Sequence, residues 1–142
     1  MTGSPTFQRL SRETLDEHKQ IHFFLDQLKS ALEALDVDSS DVEQLRRLAA
    51  QIESLREHLQ EHFENEEKRG VYQAILDVMP DAGGAIHRFT TEHQRMIEIL
   101  EMARIHAQCG EVSEAEALRV DLESFLEMFR RHERDEEQLL LQ

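Results

Sequence analysis

Apolar residues recur along most of the chain at alternating spacings of three and four, which places them on one face of an α-helix. Between about Ser11 and Leu35 that face reads Leu15, His18, His22, Leu25, Leu28, Leu32 and Leu35. A second stripe reads Leu45, Leu48, Ile52, Leu55, Leu59, His62 and Glu66. The third reads Ile86, Phe89, His93, Met96, Leu100, Ala103 and Ala107, and the fourth Leu118, Leu122, Phe125, Phe129, His132, Glu136 and Leu139. Asp36 to Ser40 forms a turn, and Ser40 with Glu43 makes a capping box that opens the second helix; Ser113 with Glu116 does the same for the fourth. Gly70 weakens the second helix, and Pro80 with Gly83-Gly84 ends its segment. The third helix starts near Gly84 and is capped by Gly110. Short connections between long one-faced helices predict an all-α fold, an antiparallel up-down-up-down four-helix bundle over residues 11–142. Residues 1–10 have no periodicity and are expected to be a flexible lead-in.

The two halves of the chain repeat. A Glu-His pair occurs at Glu17-His18 and again at Glu92-His93, and His-x-x-x-Glu-Glu occurs at His62 to Glu66-Glu67 and at His132 to Glu136-Glu137. A duplicated helical hairpin with a pseudo-twofold axis brings all four elements to one point.

Composition narrows the class. The chain has 142 residues, one domain's worth, with 16 Lys+Arg against 30 Asp+Glu and a net charge of −14. No run approaches the roughly 20 apolar residues of a membrane span. The first ten residues lack the apolar core of a secretory signal. A single cysteine, Cys109, suits a reducing compartment, so a cytoplasmic location is expected. Acidity of this degree disfavours nucleic acid and membrane surfaces as partners.

The chemistry lies in polar residues on core stripes. His62, Glu66, His132 and Glu136 take positions that the stripes otherwise give to Leu or Phe, and His18 and His93 join them. Burying an ionised carboxylate or an unpaired imidazole is costly unless partners satisfy it, and a bound metal supplies them. Residues i and i+4 lie about 6 Å apart on one helix face, so each His-x-x-x-Glu offers a nitrogen and a carboxylate to one site. Two such pairs on facing helices can bridge two metals. A lone stripe histidine is ordinarily a hydrogen-bonded core residue; a set matched in both halves argues for ligands. Glu61, Glu67, Glu133 and Glu137 fall off the stripes and read as solvated groups or as supporting partners of the ligands. His87 and His106 lack a carboxylate at i+4. Imidazole and carboxylate without thiolate suit iron first, with manganese or zinc less favoured.

Taken together, Glu17-His18, His62-Phe-Glu-Asn-Glu66-Glu67, Glu92-His93 and His132-Glu-Arg-Asp-Glu136-Glu137 resemble the hemerythrin-like, or HHE cation-binding, proteins, over about Ser11 to Leu140. The resemblance implies a non-haem centre of two Fe ions with an oxo or hydroxo bridge. His18, His62, His93 and His132 would be terminal ligands and Glu66 and Glu136 bridging carboxylates. Two six-coordinate metals offer about twelve positions, and this set leaves one open on each, where O₂, NO or H₂O₂ can bind. The chain departs from oxygen-carrying hemerythrins at Ile97, where they show a second His, and at the His132-x-x-x-Glu136 spacing, where they show a longer-spaced Asp. It looks more like the branch associated with nitric oxide, peroxide or iron sensing. Two readings stand: a di-iron protein that binds or turns over a small molecule, with Phe63, Ile97 and Phe129 shaping a dry pocket, or a non-catalytic iron store or iron/oxygen sensor. His22 and His58 break the symmetry, since their counterparts are Ile97 and Met128. One of them, His22 ahead of His58, is expected as a fifth imidazole ligand or a hydrogen-bonding group over the open position; the alternative is a hydrogen bond between the two rings.

Overall fold

Leu, Glu, Gln, Arg and Ala dominate the chain between its few glycines and prolines, and these residues lose little on entering a helix. In the computed structural model they form four long helices, α1 (Pro5–Ala34), α2 (Val42–Lys68), α4 (Gly83–Cys109) and α5 (Ala115–Leu140), with a short α3 (Val71–Val78) between α2 and α4. Turns of 3₁₀ helix, Pro80–Ala82 and Val112–Glu114, precede α4 and α5. The structure describes residues 5–35, 41–68, 70–110 and 112–141. Among them there is no strand, and no helix is long and apolar enough to cross a membrane.

The stripes meet in one apolar cluster, in which Leu28, Ile52, Leu55, Leu100, Leu122 and Phe125 are fully buried. Burying such a side chain contributes about 1.5–3 kcal/mol, so this cluster is the main source of stability. Helix α2 packs against α1 and α4, and α5 against α4 and α1. Residue numbers rise on one helix as they fall on its neighbour. Glu17 faces His62 and Phe24 faces His58 across α1 and α2. Glu67 faces His93 and Arg56 faces Glu101 across α2 and α4. Across α4 and α5, Arg88 meets Asp135 and Glu92 meets His132. Across α5 and α1, Glu137 meets His18 and Arg119 donates to the Leu35 carbonyl.

The structure corrects the sequence reading at three places. Helix α1 begins at Pro5, so residues 5–10 belong to it and are not a flexible lead-in; residues 1–4 lie outside the described residues. The physical reason is Phe7, which is 2% exposed in a second apolar cluster with Tyr72, Ile75 and Phe89. That cluster also explains α3. Gly70 does more than weaken a continuous helix: at φ 104 it occupies the left-handed region and separates α2 from α3. The break lets Val71, Tyr72, Ala74 and Ile75 fold back on α1 and α2, where they are buried. The third correction concerns the caps. Helix α2 is opened by Asp41, whose Oδ1 accepts from the Gln44 N–H at 2.8 Å while the Asp41 N–H donates to Gln44 Oε1 at 3.2 Å. Ser40 lies outside the described residues. Ser113 falls inside the 3₁₀ turn, and Glu114, the residue before α5, makes no side-chain cap bond. Gly110 ends α4 at φ 68, with its N–H on the Ala107 carbonyl, as the sequence indicates.

Candidate metal centre

The helical period turns His18, His62, Glu66, His93, His132 and Glu136 toward the bundle axis, and all six are at most 4% exposed. The imidazole Nε2 atoms face the two carboxylates. Glu66 Oε1 lies 3.2 Å from His62 Nε2 and 3.3 Å from His93 Nε2, and its Oε2 lies 3.7 Å from His18 Nε2. Glu136 Oε1 is 2.9 Å from His18 Nε2, and its Oε2 is 3.5 Å from His132 Nε2 and 4.0 Å from His93 Nε2. Ligand atoms of His18, His62, Glu66 and Glu136 lie within 4.8 Å of one another, as do those of His93, His132 and Glu136. Two sets thus share Glu136. Both Glu66 oxygens, Glu136 Oε1 and His132 Nε2 are buried without a hydrogen bond. Four buried acceptor atoms left in this way are a heavy cost that a cation among them removes, so the donor set fits a metal.

A second tier of carboxylates stands behind the histidines. His18 Nδ1–H donates to Glu137 at 2.8 Å, His93 Nδ1–H to Glu67 at 2.9 Å and His132 Nδ1–H to Glu92 at 2.7 Å. Glu17 stands 3.5 Å from His62 Nδ1. Each carboxylate thus stands beside the histidine of the next helix around the ring, and three of the four accept from it. A proton fixed on Nδ1 leaves the Nε2 lone pair for the interior, the arrangement that orients imidazole ligands. The off-stripe Glu67 and Glu137 are therefore supporting partners, as one of the two sequence readings had it. The ring faces are held too: Phe63 stacks on His93 at 3.9 Å and 5°.

Tyr72 went unread in the sequence. Its hydroxyl donates to Glu136 Oε2 at 2.6 Å and lies 3.1 Å from His93 Nε2. The available signal was the chain's one tyrosine on the apolar face of Val71–Val78, because a buried phenol needs a partner for its O–H.

Against known families, the model of the hemerythrin HHE cation binding domain matches residues 9–142. The chain belongs to that family. No curated protein and no solved structure matches it. As an HHE cation-binding domain it has buried His and Glu groups able to hold a metal ion.

Without the metal, the charges of this HHE site are arranged by burial and by one another. Burial and the Glu136 charge push the Glu66 carboxyl well above the usual range. Burial pushes Glu136 the same way, but the facing groups of Glu66, His132 and His18 outweigh it and hold Glu136 well below that range. Burial opposes a charge on His18, yet the carboxyl groups of Glu136 and Glu66 beside its Nε2 raise it to about 10. Burial and the neighbouring His132 drive His93 down to about 3. Burial also pushes the Tyr72 hydroxyl up, so it keeps its proton. A metal entering this site displaces the protons of Glu66 and His18, so binding is expected to release protons.

The structure does not bring His22 and His58 into either ligand set. His22 is 48% exposed and its Nε2 lies 2.7 Å from Glu133 Oε1. His58 is exposed and stacks on Phe24 at 3.9 Å. The two rings thus turn to different partners: on α1 the buried stripe runs through Ile21, 3% exposed, and not through His22, and His58 falls at the edge of its stripe. His22 touches the site only through Glu133, whose Oε2 lies 3.8 Å from His18 Nδ1.

Proposed function

We propose that this domain is an up-down-up-down four-helix bundle holding two iron ions, His18 and His62 on one, His93 and His132 on the other, with Glu66 and Glu136 across both. A small molecule of the class O₂, NO or H₂O₂ is its partner, and nucleic acid and membrane are not. When bound, the iron pair supplies an open coordination position and the electrons for such a molecule. The chain's own residues do the rest. Glu67, Glu92 and Glu137 fix the tautomers of three histidines. Phe63 and the half-buried Ile97 give the α2–α4 side an apolar wall beside His93, and the Tyr72 hydroxyl donates its proton to Glu136 Oε2 across 2.6 Å. The observation that carries this reading is the pair of glutamates, each 1% exposed, set among four inward-facing Nε2 atoms with buried oxygens that make no hydrogen bond. The single exposed thiol, Cys109, supports a reducing, cytoplasmic setting.

Metal analysis of the purified protein tests it, with the visible spectrum recorded before and after anaerobic reduction and after adding O₂, NO or H₂O₂. Two irons per chain are expected. His62→Ala or Glu66→Ala is expected to lose most of the metal and His106→Ala to keep it; equal loss in all three overturns the site. A second reading, an iron or oxygen sensor, is favoured by α3, a short helix after Gly70 whose Tyr72 reaches the centre. A reduced protein inert to all three molecules, but with α3 amides that exchange faster once metal is removed, selects it.

A further inference from the structure

Three of the four inner histidines are closed on their outer side and one is not. His62 Nδ1 is buried with no hydrogen bond, although Glu17 Oε2 is only 3.5 Å away. Glu17 is turned to Asn65, whose Nδ2–H donates to Glu17 Oε1 at 2.8 Å. The repeat explains the asymmetry. The counterpart of Asn65 is Asp135, an acceptor with nothing to donate, which pairs with Arg88 and leaves Glu92 to His132.

The open corner backs onto a cleft. A cavity of about 210 Å³ between α1 and α2 is lined by Glu17, Phe24, His58, Glu61 and His62. A second, of about 250 Å³, lies on the other side of Glu17, against Thr14 and Asn65. The larger cavity between α2 and α4, about 410 Å³, ends on His93, which Phe63 covers and Glu67 closes at 2.9 Å. At the α1–α2 seam nothing closes the imidazole in this way. Its walls carry two carboxylates and two imidazoles, the donors that a divalent cation such as ferrous iron takes in mixed coordination. His58, stacked on Phe24, stands exposed at this wall.

We infer that the α1–α2 cleft is the route by which a divalent cation reaches the inner site, with Glu17 the positioning residue that passes it from His58 and Glu61 to His62. The inference rests on the proposal that the inner site holds metal. Glu17 swings between Asn65 and His62 Nδ1, and the His62 ring, unheld at Nδ1, turns to accept the incoming ion on Nε2. The anionic walls gather cations from solution.

The test is the rate at which the metal-depleted full chain takes up ferrous iron under anaerobic conditions, and the rate at which the loaded chain yields it to a chelator. Gln20 lines the α1–α2 cleft and Gln94 the α2–α4 cavity, and both are exposed, so Gln20→Trp and Gln94→Trp fill one cavity each without touching the core. Gln20→Trp is expected to slow uptake and release together and leave the final metal content unchanged, while Gln94→Trp changes neither rate. Glu17→Gln with Glu61→Gln is expected to lower the uptake rate about tenfold at low salt, the size of effect a charge-lined cleft has on association, with the difference shrinking at high salt. Helix content by circular dichroism confirms that each variant folds. Slowing by Gln94→Trp, or by neither Trp variant, overturns the route while leaving the metal site standing. A wild-type chain that takes up no iron overturns the proposed function and this inference together.

Discussion

The Tyr72 hydroxyl has one proton to give, and Glu136 Oε2 accepts that hydrogen bond. With that donor on one oxygen, Glu136 has its other oxygen free of hydrogen bonds and available to a metal. Tyr72→Phe keeps the ring packing against Phe89 and removes only the bond. It is expected to lower metal affinity about 10- to 100-fold, as loss of a partner behind a ligand does, measured by competition with a chelator; unchanged affinity would make Tyr72 a packing residue only. None of this was legible beforehand, because Tyr72 and Glu136 are 64 residues apart in sequence and meet only through the α3 fold-back. The six inner residues were legible, since each is a polar group at a position where the helical period demands an apolar one. Glu17 and Glu92 were visible as neighbours of histidines, but their role was not. Adjacent residues on a helix point about 100° apart. Each carboxylate therefore faces the histidine of another helix, Glu92 bonding His132 and Glu17 standing beside His62. His22 is i+4 from His18 and reads as inward in the sequence, but the buried face of α1 passes through Ile21 and leaves His22 48% exposed.

Among the elements, α3 depends on one backbone conformation. Gly70 at φ 104 ends the α2 run and lets the next eight residues fold against α1. A Cβ at Gly70 would meet Leu10 Cδ1 at an ordinary 3.8 Å, so any cost of Gly70→Ala comes from the backbone and not from crowding. That cost is expected to be about 1–3 kcal/mol, read by chemical denaturation. Because Tyr72 rides on α3, the variant is also expected to lose metal affinity in the same sense as Tyr72→Phe. Destabilisation without any change in affinity would separate α3 from the site. The four long helices were readable because each keeps its stripe for more than about five turns. The break was not, because Val71 to Val78 continues an apolar helical pattern across Gly70, and a positive φ leaves no mark on periodicity.

At the scale of the whole molecule, protons and metal compete for the same buried groups, and this sets how stability depends on pH. In the metal-free chain His93 has a folded value of about 3 against an ordinary 6.5. The unfolded chain therefore binds the extra proton as pH falls through 6.5, and the native state loses that stability progressively down to about 3. Glu136, held low, acts in the same direction below 4.5. His18 acts oppositely. Its folded value of about 10 makes its contribution complete below 6.5 and lost as pH rises toward 10. Glu66, held high, is likewise stabilising when protonated and less so as pH rises. The metal-free chain is thus expected to be most stable between these two limbs and to lose stability on both sides. Metal flattens the alkaline side. It takes the place of the His18 and Glu66 protons, so the loaded chain no longer loses those contributions as pH rises, whereas acid still expels the metal by protonating the histidines. A ligand that binds only the folded chain adds about 4 kcal/mol when free ligand is a thousandfold above its Kd. Melting temperatures of loaded and chelator-treated protein across the pH range are therefore expected to diverge most at alkaline pH and to converge in acid. Equal melting temperatures at all pH values, with metal loss confirmed, would mean that the buried histidines and glutamates satisfy one another without a metal.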